Sequence, residues 1–413
     1  MSGEPDKRAT PATPDQRLTL IDALRGAALF GVLLVNMLWF AGFENAVSEE
    51  SLSTLSTSAL DGRVAELIDL LVSAKAIGVF SFLFGVGFAM QLESMGRNGH
   101  APHRRYSRRL TGLLILGLVH WLAIWSGEIL HVYALAGFAL LALSGLRTRT
   151  LVVAGLVLAV LARPIAGRLY LLTGGDGSML TPTVDDLALR YDVFMHGSFA
   201  DAVGLQLRTD VSWQLISGST LAAILHALGR FMIGVAVARG GYLKNPAPYL
   251  RQVRWIAAVA LPVGFVLEHD WIFGSWLQAH QLLSDPVAVQ VFRHACNSLG
   301  VVCMTAGYVA LFIALWQFAA VRRALAWLVP TGRMALTNYL SQTAICYLLF
   351  FGFGLALMGR VGATACLAIS VVIFLLQAAA SHWWLAHFNF GPMEWLWRWW
   401  TYTGRPPLRR AAA

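Results

Sequence analysis

A chain of 413 residues that is 57% hydrophobic and only 13% charged has about half the charge of a soluble domain, which excludes an ordinary water-facing globule. Its mean hydropathy of +0.62 and its 15 Trp point to lipid instead. The net charge of +9 does not indicate nucleic acid, because Lys and Arg sit in short loops between apolar blocks, where they set orientation and meet anionic lipid.

Residues 1–16 are polar and Pro-rich and are expected to form a disordered cytoplasmic tail. The apolar blocks that follow are about 18–22 residues long, enough to cross roughly 30 Å of hydrocarbon. The first starts near Leu18 and has no A-x-A site after it, so it is expected to be a retained helix. About ten spans are predicted, at 18–41, 68–92, 108–126, 129–146, 150–173, 213–238, 252–268, 295–319, 334–358 and 361–386. Loop 174–212 is long, carries a helix-like pattern from Val184 to Phe194, and is expected to cap an external vestibule. Segment 269–294, with Trp271, Phe273 and Trp276, is expected to lie on the external interface. Residues 391–402 are amphipathic and Trp-rich and predict a cytoplasmic interfacial helix, and 404–413 form a basic tail. The expected fold is an all-α, polytopic transmembrane bundle, with 17–403 as one domain. Cys296, Cys303, Cys346 and Cys366 all fall in predicted spans with no C-x-x-C pair, which argues against a disulfide framework or a zinc site.

The loops assign the sides. Arg97, Arg104 and Arg105, with Arg108 and Arg109 just after, mark one loop; Arg147 and Arg149 mark another. Arg239, Lys244, Arg251, Arg254, Arg322, Arg323 and Arg333 mark two more, and Arg398, Arg405, Arg409 and Arg410 mark the tail. These are alternate connections. The remaining ones are acidic or neutral, with Glu44, Glu49, Glu50 and Asp61 in the first and Asp176 to Asp210 in the long loop. By the positive-inside rule both termini are cytoplasmic.

Ionisable and amide groups inside spans are costly in lipid, so they are the candidates for function. In the first span Asp22, Arg25 and Asn36 share one helix face, and Asp22 can pair with Arg25 at i, i+3. Arg17 is an end anchor. Lys75 is expected to snorkel to the external surface. His120 lies roughly two turns below an external turn that carries Glu128, and His131 and Tyr133 start the next helix. A carboxylate near imidazoles suits general acid/base work; a proton relay, or a neutral histidine bonded to a carbonyl, are the alternatives. Thr337, Asn338, Tyr339, Ser341 and Gln342 crowd another helix and must face protein, water or ligand, with interhelical glue the plain alternative. Glu394 and Arg398 are spaced to pair at i, i+4 on the interfacial helix. The candidate catalytic set is His120, Glu128 and Asp22. The candidate substrate-binding set is Arg25, Asn36, His131, Tyr133, Thr337, Asn338, Tyr339, Gln342, Glu394 and Arg398. No metal site is expected.

Taken together these stretches resemble the bacterial YeiB-like family of multi-pass membrane proteins. The resemblance rests on Ile21-Asp22-Ala-Leu-Arg25-Gly26 through Gly31 and Asn36, and on Phe80 to Gly85. It continues through His120, Gly127-Glu128-Ile129-Leu130 and Tyr133, then Gly332 to Gln342, and Gly391 to Arg398. It runs from about residue 17 to 403 and implies a bacterial inner-membrane location. The D-x-L-R-G opening also resembles heparan-alpha-glucosaminide N-acetyltransferase and related transmembrane acyltransferases. That likeness implies an acyl-CoA such as acetyl-CoA as cytoplasmic co-substrate, a sugar-like or small hydroxyl or amine acceptor on the far side, and no tightly bound cofactor. The acetyltransferase places its catalytic His shortly after the Asn of the first helix. Residues 37–64 hold no His here, so His120 or a Glu128-centred acid/base takes that place, or the chemistry differs. A transporter or flippase using the same polar cluster is the rival expectation. Expected partners are membrane lipids, the acceptor, and a second copy of the chain as a homodimer.

Overall fold

In the computed structural model, which describes residues 14–43, 45–97, 102–172, 183–243, 245–268, 286–402 and 406–410, every predicted span falls on a helix. The helices are α1 (Pro14–Phe40), α2 (Glu49–Ser53), α3 (Ser58–Leu71), α4 (Lys75–Arg97), α5 (Pro102–Ala123) and α6 (Leu130–Ala142). Then come α7 (Thr148–Leu172), α8 (Val184–His196), α9 (Phe199–Gln206), α10 (Ser212–Ile216), α11 (Ser219–Arg239) and α12 (Leu250–Glu268). The chain finishes with α13 (Pro286–Trp316), α14 (Ala319–Leu325), α15 (Leu328–Arg333), α16 (Ala335–Phe350), α17 (Ala363–His387) and α18 (Pro392–Tyr402). Among the described residues, seven stretches are long and apolar enough to cross a bilayer, including Thr19–Phe40, Ser58–Met95 and Ser219–Arg239. The other three predicted spans fall on α5, which opens with His103, Arg104, Arg105, Arg108 and Arg109, and on α6 and α16, of 13 and 16 residues. The protein is an all-α, multi-pass membrane helix bundle.

Several boundaries differ from expectation, each for a local reason. Pro14 opens α1, so 14–16 belong to the helix; proline suits a first helical position, where its missing N–H is not needed. Residues 1–13 of the expected tail lie outside the described residues. The span predicted at 68–92 begins only at Lys75, because Ala74 takes a positive φ of 60° and separates α3 from α4. The helix predicted to 358 stops at Phe350, before a turn in which Gly359 has a φ of 69°. The segment expected to lie on the interface at 269–294 is only partly described. Residues 269–285 fall outside, and 286–294 extend α13 as a continuous helix. The long loop builds α8 and α9, each started by a reciprocal capping box, Thr183 with Asp186 and Ser198 with Asp201. Its residues 173–182, with Asp176, are outside the described set. The interfacial helix forms as α18, with Pro392 at its first position.

Two apolar cores lie side by side. One gathers around α1, α16 and α17 and includes Leu29, Met37, Phe350 and Phe374. The other gathers around α5, α6 and α11 and includes Leu110, Leu140 and Phe231. Helix α4 serves both, giving Phe82, Leu83 and Val86 to the first and Phe88 to the second. Helices α1 and α15 approach backbone to backbone. A Cβ on Gly26 would meet the Leu328 carbonyl, and one on Gly332 would meet that of Asp22. Small residues at helix crossings permit such contact in lipid, and this one sets Arg25 and Arg333 beside one cavity.

Candidate functional site

Between the two cores lies a cavity of about 310 Å³. On α4 its lining runs from Ile77 to Gln91, fourteen residue steps, or about 20 Å at 1.5 Å per step. That is roughly two thirds of the hydrocarbon thickness. On α1 it runs from Arg25 to Asn36. The middle of the wall is apolar, with Leu29, Val32, Phe80, Phe84 and Leu113.

Charge collects at one end. Arg25 from α1, Arg109 from α5, Arg333 from α15 and Arg398 from α18 all line the cavity there. Arg109, Arg333 and Arg398 come from segments assigned by their charge to the same side, and Arg25 lies in the first half of α1. Arg109 lies within electrostatic range of both Arg25 and Arg398. Its guanidinium sits 3.5 Å over the Trp397 ring, and that of Arg398 sits 4.4 Å over Phe390. These cation–π contacts fix the groups without neutralising them.

Two carboxylates answer four guanidinia, and both are engaged. Asp22 accepts from Arg25 at 2.9 Å and does not line the cavity. Glu394 does line it, but accepts from the backbone N–H of Leu336 (2.8 Å) and Thr337 (3.1 Å) and from the Thr337 hydroxyl (2.5 Å). The Thr337 hydroxyl in turn accepts from Met393 N–H at 3.1 Å. One helix thus caps another across the mouth, satisfying the free N–H groups that open α16. A Cβ on Gly391 would strike the Glu394 carboxylate and the Thr337 hydroxyl, so only glycine fits there. Burial pushes the Glu394 carboxyl above its ordinary value, and these hydrogen bonds pull only part of the way back. The mouth keeps a positive surplus suited to an anion.

At the deep end the lining includes Asn36, Tyr133, Tyr339 and the backbone turn from Gly127 to Leu130. The Tyr133 hydroxyl lies 2.7 Å from Ser81 Oγ. Glu128 sits in that turn but faces away from the cavity. It accepts from Leu130 N–H, from His131 N–H at 3.1 Å, and has His131 Nδ1 at 2.7 Å. His131 stacks on Trp121 with ring centroids 4.2 Å apart. His120 is buried, and neither ring nitrogen has a hydrogen-bond partner among the described residues. Its ring stands edge-on to Tyr339, 5.7 Å between centroids, and Glu128 lies within electrostatic range of both.

The expected sites therefore separate. Arg25, Asn36, Tyr133, Tyr339, Glu394 and Arg398 line one cavity. Asp22, His120, Glu128 and Thr337 stand behind its wall, each against a lining residue or its backbone, and His131 lies behind Glu128. Asn338 and Gln342 do neither. Asn338 donates to Ser381 (3.0 Å) and the Thr331 carbonyl (3.3 Å), and Gln342 donates to Gln377 (2.9 Å), joining α16 to α17. Lys75 does not snorkel: it is 1% exposed, pairs with Glu268 and donates to the Asp69 carbonyl at 2.8 Å. Arg109 and Arg333, known from the sequence as charges that set orientation, and Trp397 are absent from the expected substrate-binding set, yet line the cavity. The signal that could have found them is the excess of arginine over acid in motifs that meet at one end. Among the described residues no three His, Cys, Asp or Glu side chains converge as a metal would need.

Residues 237–404 match a family model described as a protein of unknown function, DUF418. The uncharacterized protein YeiB of Escherichia coli K12 is 30% identical over 93% of this chain and 96% of its own. The uncharacterized protein YxaH of Bacillus subtilis strain 168 is 28% identical over 97% and 98%. An uncharacterized 39.9 kDa protein in the amylase 3′ region of Bacillus acidopullulyticus is 27% identical over 96% and 97%. No solved structure matches.

Proposed function

The chain belongs to the YeiB-like, DUF418 family of multi-pass membrane proteins, and from that premise we propose that it is a transmembrane acyltransferase of the bacterial inner membrane. The arginine-lined mouth opens to the cytoplasm and receives an acyl-CoA-type donor. The observation that carries this reading is the pairing of four guanidinia with an apolar shaft about 20 Å long. A donor with a phosphorylated head and a thioester arm has that same polarity. Arg25, Arg109, Arg333 and Arg398 would hold the phosphates by charge-assisted hydrogen bonds, and the arm would carry the acyl group to the far end.

There the acceptor oxygen or nitrogen bonds to the acyl carbon, the carbon–sulfur bond breaks, and the CoA thiol leaves with the acceptor's proton. His120 is the group assigned to move that proton, by way of the Tyr339 hydroxyl on the cavity wall. Glu128 is not the base in this scheme. Its oxygens are taken up by N–H groups, so its role is to favour the imidazolium that His120 becomes. Asn36 is placed to donate to the acyl carbonyl. Asn338 and Gln342 are committed to α17 and take no part.

The test uses purified full-length protein in nanodiscs with radiolabelled acetyl-CoA and a panel of sugar and amine acceptors. The expected result is CoA binding with slow hydrolysis or transfer, turnover lost in His120→Ala with binding kept, and binding weakened in Arg109→Ala. A wild-type protein that neither binds nor turns over acetyl-CoA sinks the proposal. The flippase reading draws on the same shaft, which reaches from the arginine mouth to the 127–130 turn. It would gain if a fluorescent anionic amphiphile crossed proteoliposomes while acetyl-CoA went untouched.

A further inference from the structure

Away from the cavity, the seam between α7 and α11 gathers positive charge with no acid on either helix. The two helices run antiparallel and touch backbone to backbone. A Cβ on Gly229 would meet Ala159 N and the Gly155 carbonyl, both at 2.6 Å. One turn beyond that crossing, toward the end opposite the arginine mouth, Arg163 on α7 comes level with His226 on α11, and Arg230 lies one turn further in. Arg230 is eleven residues from the start of α11, about 16 Å along its axis. It is 6% exposed, too deep to snorkel, and its Nε has no hydrogen-bond partner among the described residues. His226 is also buried, with Nδ1 unpartnered. Arg163 stands at the edge of the seam with its side chain exposed on the bundle surface.

The charged and titratable neighbours of this group are few. Arg163, Tyr133 and Glu268 act electrostatically on Arg230, and Arg163 and Arg230 act on His226. Among the described residues Glu268 is the acid that acts on Arg230, and it also pairs with Lys75. A buried guanidinium with too little acid beside it is costly in lipid, and Arg163 brings a second positive charge to the edge of the same seam. A tetrahedral oxyanion would satisfy both, because each guanidinium offers a fork of donors to such a group.

We propose that Arg163, His226 and Arg230 form a second anion site, separate from the cavity, that binds a phosphate group at the edge of the α7–α11 seam. The phosphate comes either from a lipid headgroup drawn into the bundle edge or from free phosphate. The lipid source fits the exposed apolar face of α7 beside the site, where Val153 is 63%, Val157 50% and Ile165 59% exposed, a surface on which an acyl chain can lie. Tyr133 joins this site to the main cavity: it lines that cavity and acts on Arg230.

The test leaves acyl-CoA out, so its result is independent of the acyltransferase reading. Delipidated full-length protein in neutral detergent is titrated with phosphatidylglycerol, with diacylglycerol, and with inorganic phosphate alone, and lipid retention is read by native mass spectrometry beside the thermal midpoint. Wild type is expected to hold phosphatidylglycerol about tenfold more tightly than Arg230→Gln or Arg163→Gln, the effect of losing one charge-assisted contact. Arg230→Lys should retain part of the binding, and Arg163→Gln, altered at an exposed side chain, serves where Arg230→Gln does not fold. A shift with inorganic phosphate that Arg163→Gln abolishes supports the site with a free anion as its ligand. The site is overturned if inorganic phosphate gives no shift that Arg163→Gln abolishes and, in the same proteins, phosphatidylglycerol binds wild type and variants equally or no more tightly than diacylglycerol.

Discussion

At the basic end of the bundle, arginines from α1, α5, α15 and α18 face one cavity whose lining carboxylate, Glu394, is already bound to a helix terminus. At the far end the polar groups are consumed by one another. Ser126 N–H donates to Gln206 at 2.9 Å and its hydroxyl to Asp210 at 2.9 Å, while Asp210 also pairs with Arg190. Gln214 accepts from Trp121 (3.0 Å) and donates to the Ser126 carbonyl (3.1 Å). Under this network Phe40, Trp125, Phe194, Tyr347 and Phe351 pack ring on ring. One end leaves charge available and space beside it; the other spends its polar groups on closing a turn. In the proposed acyltransferase, donor capture falls to the first kind of surface and exclusion of water to the second.

That contrast can be broken from either side. The largest effect should come from the crossing that sets the mouth. Gly332→Val would drive a side chain into the Asp22 carbonyl, and an overpacked contact costs about 3 kcal/mol. The expected outcome is a sharp loss of folded protein in detergent, seen by size-exclusion chromatography; an unchanged yield would mean that α1 and α15 are not so close. Next is Asp210→Ala, which strands a half-buried Arg190 and should cost about 2 kcal/mol in thermal stability. CoA binding should stay intact, because the far-end network does not reach the mouth.

Glu394→Ala removes the trans cap on α16 and should cost about 1 kcal/mol, with Glu394→Gln restoring most of it. The carboxyl is lifted above its ordinary 4.5, so the stability it contributes is fully present below that value and is lost as pH rises through the raised one. Thermal midpoints across pH 4 to 8 should therefore fall in wild type and stay flat in Glu394→Gln. The smallest effect belongs to Asp186 and Asp201, held below the ordinary 3.8 by hydrogen bonds from Thr183 and Ser198. Their contribution is present above 3.8 and is lost as pH falls through the lowered values, so circular dichroism should report slight helix loss only in acid.

Much of the bundle was legible because lipid imposes one rule on sequence. A crossing helix needs about twenty apolar residues, and the blocks at 18–41, 213–238 and 361–386 announce themselves. The breaks inside blocks were not legible, since Ala74 turns the chain by its φ and carries no sequence signal for it. The site was legible by half. Arg25, Asn36 and Tyr133 stood out as polar groups in lipid, and the cavity collects them. Glu394 stood out too, but pairing it with Arg398 at i, i+4 missed that it caps a helix 57 residues earlier in the chain. Asn338 and Gln342 show the same limit: a polar stripe must face something, and periodicity cannot say whether that is a ligand or Gln377 on the next helix. Arg109 and Arg333 were hidden by their abundance at cytoplasmic ends, where arginine is expected for topology alone.

The most direct test of the account is the binding isotherm of CoA to the purified protein, for wild type and for Arg109→Ala/Arg333→Ala. The double variant should lose about 100-fold in affinity, two charge-assisted contacts at about 1.4 kcal/mol or more each, with wild-type binding weakening as salt rises. Equal affinity in the two proteins, or wild-type binding indifferent to salt, would contradict the assignment of the arginine mouth to an anionic donor.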